Sequence, residues 1–204
     1  MSGDDKFCAP FTYSLRSAIL NTTMKVVLHT DDPSISMEGV EVRLITRPNV
    51  EYAHLAHLRD IIRCKILFEE GGIYSDTDVI WLRNPWELMD KHVVSCFTNQ
   101  PYRILCNAVM MSEKGADEMK QYMDWIISIS PCKKYYIPAN PYKLWIENPN
   151  VVMLPRHYFF PLTYTKTVNT GTIKHIEKSI CVHLFGSLAD VETNYRRIFG
   201  SLLD

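Results

Sequence analysis

The sequence predicts an α/β domain with a mostly parallel central sheet flanked by helices, and three observations carry that expectation. Helical and strand periodicities alternate along the chain from Phe11 onward. The 204 residues suit a single domain, taken as residues 1–204, and are enough to bury a sizeable core. At 47% apolar and 22% charged, the composition is that of an ordinary globular chain.

Residues 11–20 read as a helix with Phe11, Leu15, Ala18 and Ile19 on one side. Residues 25–30 (KVVLHT) form a short buried strand ended by the turn signal Asp31-Asp32-Pro33. Residues 40–45 alternate apolar with polar, a second strand, and Pro48-Asn49 breaks it. Residues 57–70 return to helical spacing through Leu58, Ile61, Ile62, Leu67 and Phe68, and Gly71-Gly72 stops them. Residues 73–82 are rich in Ile, Val, Tyr and Trp and favour strand. Beyond the turn at Asn84-Pro85, a short helical piece covers residues 86–89, and strands are expected at 93–97 and 106–111. A long helix follows over 112–130, its apolar face made by Met119, Tyr122, Met123, Ile126 and Ile127. Pro131, Pro138, Pro141 and Pro149 punctuate a looser region before strands at 151–154 and 180–185.

A net charge of −1 gives no electrostatic case for nucleic acid or an anionic membrane surface, so neither is expected as a partner. No apolar run reaches the ~20 residues of a membrane span, and MSGDDKFCAP lacks a secretory pattern. The expected state is soluble and cytoplasmic as the chain stands, with an excised lumenal Golgi-type domain as the alternative. Six scattered cysteines without a CxxC pair read as reduced, packed thiols rather than a thiolate metal site. Asn21-Thr22-Thr23 fits the glycosylation acceptor pattern, which arises often by chance and is given no weight.

Chemistry concentrates between His57 and Asn84. Asp76 and Asp78 sit two apart between Ile73-Tyr74 and Val79-Ile80-Trp81. On an extended chain, side chains at i and i+2 share a side, about 7 Å apart at Cα. Two acids aimed together from apolar surroundings repel and lose hydration, a cost that a hard divalent cation removes. Upstream, Asp60 and Arg63 are three apart on one helical face. Alone they fit an exposed ion pair, contributing ~0.3–0.5 kcal/mol. Followed by the acid pair, they read as ligand-binding groups.

The run His57-Leu58-Arg59-Asp60-Ile61-Ile62-Arg63, then Leu67, Gly71-Gly72-Ile73-Tyr74 and Asp76-Thr77-Asp78, resembles the DxD-containing sugar-binding region of a glycosyltransferase family. That family is related to yeast initiation mannosyltransferase and to the α-1,4-galactosyl- and N-acetylglucosaminyltransferases, and large clostridial glucosylating toxins share its core pattern. Weaker likeness extends to Phe11 through Ser17, Asn107-Ala108-Val109, Leu154-Pro155, Phe160-Pro161 and Val182-His183-Leu184. The strand with which the family opens has no counterpart before Cys8.

The resemblance implies a GT-A-type single nucleotide-binding domain that transfers sugar from a UDP- or GDP-sugar to a glycan or other hydroxyl acceptor, with retention of configuration. It further implies that Asp78 ligates Mn²⁺ or Mg²⁺, and that Asp76 contacts the donor or the cation. Asp60, Arg63 and Asn107 would hold the donor sugar, and His183 is a candidate further metal ligand. Read without the family, His183 between Val182 and Leu184 also fits a core histidine, and Asn107 a residue that satisfies backbone groups. His54 and His57, three apart, make a weak metal pair, and Trp81 and Trp86 read as packing residues. Two rival functions remain. Asp76-Thr77-Asp78-Val79 also fits the motif of haloacid-dehalogenase-type phosphatases, with Asp76 as nucleophile, but Asp90, Asp117, Asp124 and Asp190 do not form the later acidic pair that chemistry needs. A non-catalytic carbohydrate- or nucleotide-sugar-binding domain is the other.

Overall fold

The computed structural model describes residues 9–99, 104–132, 140–161 and 176–184. In chain order the elements are α1 (Ala9–Asn21), β1 (Val26–Thr30), β2 (Val40–Leu44), α2 (Leu55–Glu70), β3 (Gly72–Ser75), β4 (Val79–Trp81), β5 (Val93–Asn99), β6 (Ile104–Ser112), α3 (Asp117–Ile129), α4 (Tyr142–Trp145), β7 (Val151–Leu154) and β8 (Cys181–His183). Short 3-10 turns lie at Trp86–Leu88 and Arg156–Tyr158. The architecture is α/β. It divides into two compact units, one from Met1–Thr46, Asp76–Trp86 and His157–Asp204, the other from Arg47–Ser75 and Glu87–Arg156.

The first unit holds the parallel pair β1–β2, in register from Val26 opposite Val40 to Thr30 opposite Leu44. It also holds the antiparallel pair β4–β8, with Val79 opposite His183 and Trp81 opposite Cys181. The second unit is built on a four-stranded sheet in the order β3-β6-β5-β7. Its core joins Ile61, Cys64 and Leu67 of α2 to Met119, Tyr122 and Ile126 of α3, the face that helical spacing predicts. The five described cysteines are thiols outside any disulfide, and Cys8 lies outside the described residues.

Three expectations need correction. The sheet is only partly parallel: β1–β2 and β5–β7 are parallel, whereas β3–β6, β5–β6 and β4–β8 are antiparallel. Only residues 100–103 separate β5 from β6, too few for the crossover that a parallel pair needs. Residues 73–82 are not one strand, because the chain breaks between β3 and β4 at Asp76, Thr77 and Asp78. Finally, β1 is half-buried along its whole length rather than buried. The expected last strand ends at His183, and its Phe185 lies outside the described residues.

Candidate functional site

Asp76 and Asp78 converge through a turn, not through an extended strand. The Val79 amide donates to the Asp76 carbonyl at 3.3 Å, which closes the turn and carries the chain into β4. Pairing with β8 then sets His183 opposite Val79, and the Leu184 amide donates to the Asp78 carbonyl at 2.9 Å. His183 Nε2 lies 3.0 Å from Asp78 Oδ1, its side chain 10% exposed against 21% for Asp78. One ligating atom from each of Asp76, Asp78 and His183 falls within 4.8 Å of the other two. This is the one group of three or more metal-ligating side chains that comes together among the described residues. Two carboxylates and an imidazole form a donor set suited to a divalent first-row cation, and the separations approach those between ligands on a single ion. The residues therefore fit the metal that the motif implies.

What holds β4 in place was not foreseen. In an antiparallel pair, alternate residues turn their backbone groups to the partner strand. Asp78 and Leu82 direct theirs to the β8 segment, which leaves Val79 and Trp81 facing the other way. Polar side chains of α1 satisfy these: Ser14 Oγ donates to the Val79 carbonyl at 2.7 Å, the Trp81 amide donates to Ser17 Oγ at 2.9 Å, and Asn21 Nδ2 donates to the Trp81 carbonyl at 2.9 Å. Ser14, Ser17 and Asn21 fall at helical spacing on one face. That polar stripe beside Leu15 was the available signal.

In the second unit, Asp60 and Arg63 are no exposed ion pair. Their side chains are 6% and 7% exposed, with Arg63 Nε 3.3 Å from Asp60 Oδ1. Arg63 Nη1 donates to the Asn107 carbonyl at 2.5 Å, and its guanidinium lies over the Tyr74 ring at 4.6 Å. Asn107 Nδ2 donates to Asp60 Oδ1 at 2.8 Å and to the Tyr122 hydroxyl at 3.3 Å. Burial, then nearby Cys64 and Asp60, push the Tyr122 phenol well above its usual range, which keeps it protonated.

A sheet irregularity presents Asn107 to these groups. Between the pairs Val94–Met111 and Cys96–Cys106, β5 contributes only Ser95, whereas β6 contributes Asn107 through Met110. The surplus residues of β6 bulge away from β5. Val109 and Met110 pair with β3 instead, and the Asn107 carbonyl is left for Arg63.

The remaining candidates divide. His54 and His57 meet edge to face, ring centroids 5.6 Å apart, and no third ligating side chain joins them among the described residues. Trp81 is buried as expected, but Trp86 is 59% exposed, so packing does not account for it. Of the later acids, Asp90 pairs with Lys91 and Asp124 with Lys120 at exposed positions, and Asp190 lies outside the described residues. No helix among the described residues is long and apolar enough to cross a membrane.

Comparison with known proteins bears on these groups directly. Residues 18–95 match the family model of the glycosyltransferase sugar-binding region containing a DXD motif. By sequence, no curated protein matches the chain. Among solved structures, it is similar to the PaToxG glycosyltransferase, with 14% identity over 94% of this chain and 72% of that one and a TM-score of 0.53. It is also similar to a glycosyltransferase involved in the glycosylation of the major capsid of PBCV-1, with 12% identity over 77% and 84% and a TM-score of 0.48. The matched range includes Asp60, Arg63, Asp76 and Asp78, and this stretch of the chain, less than half of its length, is similar to glycosyltransferase sugar-binding regions containing a DXD motif.

Proposed function

We propose that the chain is a metal-dependent glycosyltransferase. It moves a sugar from a UDP- or GDP-sugar to a glycan or other hydroxyl acceptor, with retention of configuration, and shares the nearer kinship with mannosyl- and α-1,4-galactosyltransferases suggested by its motif. The observation that carries this reading is the meeting of Asp76, Asp78 and His183 within 4.8 Å. These residues would hold Mn²⁺ or Mg²⁺, and the imidazole favours Mn²⁺. Bound there, the cation supplies Lewis-acid stabilisation of the departing nucleoside diphosphate. To ligate through Nε2, His183 must present a lone pair there in place of a proton shared with Asp78. Asp76 would contact the donor or the cation. Asp60, Arg63 and Asn107 would take hydroxyls of the sugar, held in advance by the bonds they make to one another.

A thermal-shift screen of UDP- and GDP-sugars with and without Mn²⁺ tests the proposal. A donor at a hundred times its Kd should stabilise the folded chain by about 2.7 kcal/mol. The effect should need the metal and vanish in Asp78→Ala. A donor that stabilises Asp78→Ala as well as the parent overturns the mechanism, and slow hydrolysis of the stabilising donor distinguishes a transferase from a binding domain.

A further inference from the structure

We infer that Tyr122 is a positioning residue for Asn107: with Asp60, it fixes the side-chain amide so that the carbonyl oxygen Oδ1, and not the amino group, is what Asn107 offers to a ligand. The inference rests on the proposed role of Asn107 in holding the donor, and it adds a residue and a polarity to that role. Asp60 lies beside a guanidinium that is always charged, so its carboxylate only accepts hydrogen bonds. The nitrogen of the Asn107 amide must therefore face Asp60, which settles the orientation of the amide by chemistry. The second N–H goes to the Tyr122 hydroxyl. Both donors of the amide are thus committed, one to α2 and one to α3. Oδ1 has no hydrogen-bond partner among the described residues, and Asn107 itself is only half-buried.

Tyr122 is built for this task rather than for packing alone. Its ring is fully buried, stacked on Trp125 with centroids 6.1 Å apart and edge to face with Trp145 at 5.2 Å. A phenylalanine would satisfy those ring contacts. Burying a phenol costs free energy unless its oxygen is hydrogen-bonded, and the bond to Asn107 meets that cost. The ring contacts in turn prevent the hydroxyl from following a rotating amide. A ligand facing this site must donate a hydrogen, as a sugar hydroxyl does and a fluorine cannot.

Two measurements test the inference. In the ¹⁵N-labelled parent, both side-chain N–H protons of Asn107 should exchange slowly, and Tyr122→Phe should shift their resonances and speed the exchange. In binding assays with the donor that stabilises the parent, monodeoxyfluoro analogues of its sugar should reveal one hydroxyl whose loss weakens binding about tenfold. That penalty should fall to about onefold in both Asn107→Ala and Tyr122→Phe, while the other positions keep theirs. A merely structural Tyr122 would lower stability and leave the pattern of penalties unchanged. Fast exchange at Asn107 in the parent, resonances unmoved in Tyr122→Phe, or a full penalty retained in Tyr122→Phe each overturns the inference. If no nucleotide sugar binds the parent, the proposed function fails, and the exchange measurement still decides the role of Tyr122.

Discussion

At Gly71 the backbone holds φ at 72°, and a Cβ built there would lie 2.7 Å from the Lys114 amide nitrogen. Gly72 has φ at 97° with nothing within 4 Å of its Cβ position. Both positions strain an L side chain, by about 1–3 kcal/mol, but only the first also collides with backbone. Gly71→Ala should therefore lower the denaturation midpoint clearly more than Gly72→Ala, and equal losses would refute the collision. In the sequence, the pair reads as a helix stop, and the Gly71 amide does cap α2 by donating to the Leu67 carbonyl at 2.9 Å. Which glycine carries the steric demand was not legible. Lys114 is distant in sequence, and only the folded second unit brings its backbone close. Tyr122 shows the same limit, since helical spacing reveals its buried face but not the partner of its hydroxyl.

Between elements, His92 ties the start of β5 to the end of β6 and to the first turn of α3. Its Nδ1 lies 2.9 Å from Glu113 and its Nε2 3.0 Å from Glu118, which also accepts from Asn148 and Asn150 at 3.1 Å each. The hydrogen bond with Glu113, helped by that with Glu118, raises the His92 pKa above its ordinary 6.5. Burial pushes Glu118 upward, but hydrogen bonds from its own amide, Asn150, Asn148 and His92 outweigh it, and its pKa ends below the ordinary 4.5. A raised histidine stabilises fully below its unfolded value and loses that contribution as pH rises through the folded one. A lowered carboxylate stabilises above its unfolded value and loses it as pH falls. The parent should thus lose stability relative to His92→Gln when pH rises from about 6 to about 8.5. Parallel melting curves across that range would refute the clamp. Most element positions were legible because periodicity is local, but the break between β3 and β4 and the short α4 were not, and the helix expected over 112–130 begins only at Asp117. Strand direction was not, because helix–strand alternation implies crossovers and the chain makes direct returns at β5–β6 instead.

Across the whole molecule, the acid pair and the Asp60–Arg63 helix were legible because each lies within a short stretch. The approach of His183 was only a candidate, since β4–β8 pairing joins residues remote in sequence. The first unit is assembled from three separated stretches, with the second unit's stretches between them. A chain ending at Arg156 would lack β8 while keeping Asp76 and Asp78. It should show no Mn²⁺-dependent stabilisation, and its melting should lose cooperativity; metal-dependent stabilisation of that fragment would exclude His183 from the site. The interleaving also orders events at the ribosome. Asp76 and Asp78 emerge about a hundred residues ahead of His183, so the nascent polypeptide carries two members of the candidate trio through much of its synthesis and gains the third only when the last stretch arrives.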